Sequence, residues 1–174
     1  ANLTGAVNVS GTTLVQAAGS LTAASQAGGN LGVYGSANYA AGLVNLTGAA
    51  TVGRTGDVGS LTAGAVTAGG FNMVNGTATI GSLTGANPAT STVSIANGQT
   101  LTVNGLVQQH NQITVNAGSV INGTGSVTLT GLLNGPGTVS LPITINSGGT
   151  ISPGPVSGFG SGPGQRGADR AGGS

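Results

Sequence analysis

The chain of 174 residues contains no cysteine, no lysine, no glutamate and no tryptophan. Without cysteine there is neither a disulfide framework nor a thiolate metal site. Without lysine there is no Lys–Asn or Lys–Asp isopeptide cross-link. The glycine-rich stretch Gly160-Ser161-Gly162-Pro163-Gly164 also lacks the lysine that a phosphate-binding loop requires. Charge is scarce: 3% of residues, against about 25% in an average soluble chain. The charged residues are Arg54, Asp57, Arg166, Asp169 and Arg170. A net charge of +1 provides no electrostatic footprint for nucleic acid or anionic lipid. Long apolar runs are missing too. Gly, Thr, Ser and Asn interrupt every apolar stretch, so no segment reaches the roughly 18–20 residues of a spanning helix.

Glycine (36 residues), threonine, serine, asparagine and small aliphatics make up most of what remains. Such composition is compatible with disorder, but short segments rich in Val, Ile, Leu and Thr recur throughout, as ordered strands require. They are Ala6–Val9, Thr13–Val15, Gly42–Leu46, Ala49–Val52, Thr77–Ile80, Thr92–Ile95, Thr100–Val103, Gln112–Val115, Ser119–Ile121, Ser126–Thr130, Thr138–Leu141, Ile143–Ile145 and Thr150–Ile151. Most alternate apolar with Thr, Ser or Asn, a period of two that puts one face inward and the other outward. Between them fall Asn75-Gly76, Asn97-Gly98, Asn104-Gly105, Asn122-Gly123 and Asn134-Gly135. Both residue types tolerate the positive φ of tight corners.

The chain also repeats itself. Gly19-Ser20-Leu21-Thr22-Ala23 returns as Gly59-Ser60-Leu61-Thr62-Ala63, and Gly81-Ser82-Leu83-Thr84-Gly85 follows. Successive Leu-Thr pairs lie about 15 to 28 residues apart, and a spacing near twenty fits one three-strand coil of a β-solenoid. Asn-Gly is equally a hairpin signal, so an antiparallel array competes. The solenoid is preferred because the strands are short and aromatics make up only 2% of the chain. A sandwich of this length relies on larger side chains to fill the gap between its sheets. The expected fold is all-β, a parallel β-solenoid over residues 1–151. Residues 1–75 read as less regular, with a cap or loop excursion, and residues 76–151 as regular coils. From Ser152 to Ser174 the Gly/Pro-rich composition reads as a tail or linker.

Catalytic constellations are hard to assemble from these residues. The single histidine, His110, lies in Gln108-Gln109-His110-Asn111-Gln112 and reads as a solvated corner residue. Asp57 and Asp169 are the only acids. With Asp169 in the Gly/Pro-rich tail and His110 in a polar corner, neither a triad with its orienting acid nor a carboxylate pair is expected, and one His with two acids is too few for a metal cage. No catalytic, cofactor-binding or metal-binding residue is assigned, and no cofactor is expected. Arg54 and Asp57, three apart, form an exposed pair of little energetic weight. Sequons occur at Asn2, Asn8, Asn45, Asn75 and Asn122. Thr77/Thr79, Thr100/Thr102 and Thr128/Thr130 raise ice binding, but their unequal spacing leaves alignment unassured. Tyr34, Tyr39 and the polar stretch Gln108–Gln112 are the candidate contacts for a glycan.

Residues 97–154 resemble a known family. Asn97-Gly98-Gln99-Thr100-Leu101-Thr102-Val103-Asn104-Gly105 leads to Ile113-Thr114-Val115-Asn116-Ala117-Gly118-Ser119-Val120. The stretch closes on Ile145-Asn146-Ser147-Gly148-Gly149-Thr150-Ile151-Ser152-Pro153-Gly154. It is similar to the passenger-associated repeat of bacterial autotransporters, in which a strand ends in Gly-Gly-Thr-Leu/Ile-Ser-Pro-Gly. The resemblance covers about one third of the chain. It implies a right-handed parallel β-helix with coils of about 20 residues, displayed outside a bacterial cell. The expected role is therefore an extracellular structural protein, a self-assembling filament or matrix subunit or an adhesin shaft. Glycan or ice binding is the alternative. Expected partners are other copies of the chain and, on the alternative, a surface glycan, with no nucleic acid and no transmembrane segment.

Overall fold

A computed structural model describes residues 1–39 and 42–153. Nineteen strands follow in chain order, and the described residues contain no helix. The first coils hold β1 (Ala6–Val15), β2 (Ser20–Thr22), β3 (Ser25–Val33), β4 (Ser36–Asn38), β5 (Leu43–Leu46) and β6 (Ala49–Val52). The middle coils hold β7 (Gly59–Ala68), β8 (Gly70–Met73), β9 (Gly76–Gly85), β10 (Thr92–Ile95), β11 (Thr100–Val103), β12 (Leu106–Gln108) and β13 (Gln112–Val115). The last hold β14 (Val120–Asn122), β15 (Ser126–Leu129), β16 (Leu132–Gly135), β17 (Thr138–Val139), β18 (Ile143–Ile145) and β19 (Thr150–Pro153).

Every pairing between these strands is parallel and joins one coil to the next. The chain is a β-solenoid of about eight turns with a spacing of about 19 residues. Three strand ladders run along it. Face A stacks β2, β4, the first half of β7, the first half of β9, β11, β14 and β17. Face B stacks the start of β1, the start of β3, β5, the second halves of β7 and β9, β12, β15 and β18. Face C stacks the ends of β1 and β3, then β6, β8, β10, β13, β16 and β19. Hence β1, β3, β7 and β9 bend round a corner and serve two faces each.

The Asn-Gly pairs lie at corners between faces, except Asn134-Gly135 at the end of β16, and none forms a hairpin. The one antiparallel contact among the described residues is an isolated bridge between Arg54 and Asp57, inside the corner between β6 and β7. The period of two holds as expected: β11 and β13 alternate half-buried and buried along their length. Inward residues form columns such as Leu61, Ala78, Leu101 and Ile121 on face A. Each buried aliphatic side chain contributes roughly 1.5–3 kcal/mol. The backbone hydrogen bonds run to the coils on either side, so the sheet satisfies its polar groups without any help from charge.

Several strands escaped the sequence reading. Of β2, β3, β4, β7, β8, β12, β16 and the second half of β9, most are rich in Gly, Ala, Ser and Asn, which have weak strand propensity, whereas β12, Leu106-Val107-Gln108, is too short to show a period of two. They are held because each lies between two in-register neighbours. The coil length also varies more than expected, from 16 residues (Leu21 to Ala37) to 24 (Ala37 to Leu61). Corners absorb the difference. The segment between β6 and β7 projects as the Arg54–Asp57 bridge, and residues 86–91 form another excursion between β9 and β10. In the first coil the pairing of β1 with β3 shifts between Val9 and Thr12. Ser152 and Pro153 belong to β19; the remainder of the expected tail lies outside the described residues.

Two corner glycines separate conformational from steric need. Gly53 and Gly98 have φ of +71° and +73°. A Cβ on Gly53 would overlap the Asn75 carbonyl of the next coil, whereas one on Gly98 would meet open space. Gly98→Ala should therefore cost only the left-handed penalty of about 1–2 kcal/mol. Gly53→Ala should cost clearly more, because the coils cannot close on each other. Comparison of urea midpoints for the two variants checks this, and equal losses would contradict it.

Candidate functional site

The structure disperses the chemically reactive residues. Asp57 pairs with Arg54, whose guanidinium also lies 4.5 Å from the centre of the Tyr34 ring. This cluster sits on the projecting corner, with the Arg54 side chain half exposed. Asp169, Arg166, Arg170 and the 160–164 glycine stretch lie outside the described residues. Among the described residues no group of three or more His, Cys, Asp or Glu side chains comes together. No helix there is long and apolar enough to cross a membrane.

His110 corrects the sequence reading. Its polar neighbours place it in solvent, yet it is buried, with 2% of its surface exposed. The corner between β12 and β13 turns inward here: Gln109 takes a positive φ of 60°, and the Asn111 amide bonds to the Ser91 carbonyl of the preceding coil. The imidazole consequently faces the core. Neither ring nitrogen makes a hydrogen bond of normal geometry, although the Leu83 backbone interacts with the ring. Burial pushes its pKa from 6.5 down to about 4, outweighing the opposing influence of the Leu83 backbone. The polar run around it misled because adjacent Gln and Asn residues face out while His110 does not.

Tyr39 is likewise no surface contact. It is fully buried, and its pKa is raised to about 12 by desolvation. Its hydroxyl donates to Gln26 Oε1 at 3.5 Å, and Gln26 Nε2 donates to Thr13 Oγ1 at 3.0 Å. Gln26 is the polar inward residue on face B, paired with Val7 and Val44. The network satisfies a buried amide that would otherwise cost about 1–3 kcal/mol. Of the residues assigned to glycan contact, Tyr34 is half-buried beneath Arg54, and Gln108, Gln109, Asn111 and Gln112 remain accessible.

The threonine pairs are arranged in a way their spacing hid. Thr77 lies directly against Thr100, and Thr79 against Thr102. Thr128 does not join them: it stacks on Thr144 on face B. The aligned pairs belong to a longer array. In the earlier coils Ser20 pairs with Ser36 and Thr22 with Asn38, then Ser36 with Ser60 and Asn38 with Thr62. Ser60 and Thr62 in turn meet Thr77 and Thr79. The columns continue through Val120 and Asn122, with Thr102 donating to Asn122 Oδ1 at 2.9 Å.

Face A thus presents two outward columns of hydroxyl and amide side chains, exposed from Ser20 to Thr79. The repeat is about 4.7–4.9 Å between coils and about 6.6–6.8 Å along each strand. Faces B and C are more mixed. Leu43, Ala65 and Leu106 occupy outward positions on B, and Leu14, Gly32, Gly70 and Leu132 on C. The sequence signal was the short Ser-Leu-Thr and Thr-x-Thr pattern, but it could not say which copies share a face. Comparison with protein-family models, curated proteins and solved structures finds no match.

Proposed function

We propose that this chain is a structural coil segment of an extracellular or cell-surface bacterial protein, of the autotransporter-passenger kind, and that copies of it associate into filaments or matrix. A single observation carries the reading. One aliphatic core runs through all the coils, beneath a surface whose only charged side chains in the described strands and corners are Arg54 and Asp57. Such a stack resists bending, because each coil is bonded to its neighbours along three ladders. It offers little electrostatic repulsion to another copy. The role is mechanical and adhesive, without catalysis and without a cofactor.

Electron microscopy and sedimentation of the purified chain test this. Elongated assemblies whose size grows with concentration are expected. Because so few charges are present, the assembly should be nearly independent of ionic strength, where screening would matter for charged partners. Monodisperse monomers at high protein concentration would overturn self-association.

A further inference from the structure

We propose that face A binds the surface of crystalline water, so that the chain adsorbs to ice. This goes beyond the structural role and does not depend on it. The carrying observation is the unbroken register of the outward columns. Ser20, Ser36, Ser60, Thr77 and Thr100 form one; Thr22, Asn38, Thr62, Thr79 and Thr102 form the other.

Coil length varies between 16 and 24 residues along this stretch. The insertions at residues 53–58 and 86–91 project from corners, and the columns stay aligned. The result is a two-dimensional lattice of neutral donors and acceptors, with methyl groups at the threonines. Its two repeats, about 4.8 Å and about 6.7 Å, are of the order of the repeats of an ice surface.

Three properties suit that ligand rather than another. First, the lattice is rigid before binding. Both edges of each inner strand are hydrogen-bonded, so little order has to be imposed on contact. Second, no charged side chain lies among the columns, and none therefore holds a tight hydration shell that would disturb an extended water lattice. Third, no aromatic residue lies there either. Tyr39 is buried, and Tyr34 stands under Arg54. The stacking platform that sugar rings use is missing from this face. Faces B and C each carry one polar column (Asn45, Thr67 and Thr84 on B; Thr51, Asn72 and Ser94 on C), but the column beside it is interrupted by Leu43, Ala65 and Leu106 on B and by Ala49, Gly70 and Leu132 on C, so neither has two adjacent polar columns.

The test is adsorption of the full chain to a slowly growing ice surface, together with thermal hysteresis. The parent chain should be taken into the ice and depress its growth temperature. Thr62→Tyr with Thr79→Tyr, which raises two bulky rings from the middle of the lattice, should lower ice incorporation at least tenfold. Thr62→Lys with Thr79→Lys provides a second lattice variant with strongly hydrated tips on exposed positions. Asn45→Tyr, exposed on face B, should behave as the parent does. Circular dichroism melts confirm that each variant is folded.

Exclusion of the parent chain from ice would overturn the proposal. So would full retention by both folded lattice variants, or a loss in Asn45→Tyr as large as theirs. Preferential binding to crystalline cellulose or chitin, with no adsorption to ice, would assign the face to a polysaccharide instead. Filament formation in the microscope is measured separately, so either idea can fail without the other.

Discussion

Lowering the pH from about 6.5 to about 4 should destabilise the folded chain by about 3 kcal/mol through His110 alone. Its imidazole is buried without a hydrogen bond of normal geometry, and its pKa falls from 6.5 to about 4 because of that burial. In the unfolded chain the ring takes up a proton near pH 6.5; in the fold it does so only near pH 4. Between those values the unfolded state binds more protons, so stability declines as pH falls through the window. Within it, every tenfold rise in proton concentration removes about 1.36 kcal/mol. The contribution is complete above the upper value, and below the lower one His110 causes no further loss.

No charged neighbour contributes to the lowered pKa, so the slope should be insensitive to salt. The chain has only two acidic side chains, Asp57 and Asp169, which leaves few competing titrations. Urea unfolding measured at intervals between pH 7 and pH 4 checks the prediction. His110→Leu should be flat across the same window and no less stable than the parent at its lower end. A parent chain with constant stability from pH 6.5 to 4 would contradict buried neutrality.

Phe71→Ala should cost about 3–5 kcal/mol, as expected for loss of a buried aromatic with little relaxation. Phe71 is wholly buried on the inward side of face C, between Ala50 of the previous coil and Val93 of the next. A small residue on one side leaves room for the ring, so truncation leaves a cavity that neither neighbour can fill. The position matters as much as the volume. In a stack each coil is stabilised mainly by the coils beside it, and this one lies in the middle.

Weakening the middle should therefore uncouple the two halves. The expected result is a lower melting temperature and a broader transition than the parent shows. Phe71→Leu, which keeps most of the volume, should lose much less. Calorimetry of the two variants decides the matter: a Phe71→Ala transition as sharp and as high as the parent's would mean that the core repacks.

The sequence was informative where β-forming residues alternate. β6, β10, β11, β13 and β18 lie where Val, Ile, Leu and Thr alternate, because those side chains suit a pleated, half-buried surface whatever surrounds it. Class, parallel stacking and approximate coil length followed from the repeats and from the shortage of aromatics. β3, with Ala27-Gly28-Gly29-Asn30, and β8, with Gly70 and Asn72, could not be read this way. Their Gly, Ala and Asn residues have little strand preference of their own and are ordered by the coils on either side.

The same division runs through the candidate sites. That the chain would have few reactive side chains was fixed by composition alone, since residues that are not present cannot converge. Which side each residue faces was decided only in three dimensions. Ser60-Leu61-Thr62 and Ser82-Leu83-Thr84 are the same tripeptide, yet the first lies on face A and the second on face B, stacked on Val66 and Val107. His110 sits among four polar residues and is nonetheless turned into the core. Corners of variable length separate the strands, so position along the chain does not give position around the coil. Only closure of each coil on the one before it, through backbone hydrogen bonds and buried aliphatics, brings Thr79 to Thr102 and leaves Thr128 on another side.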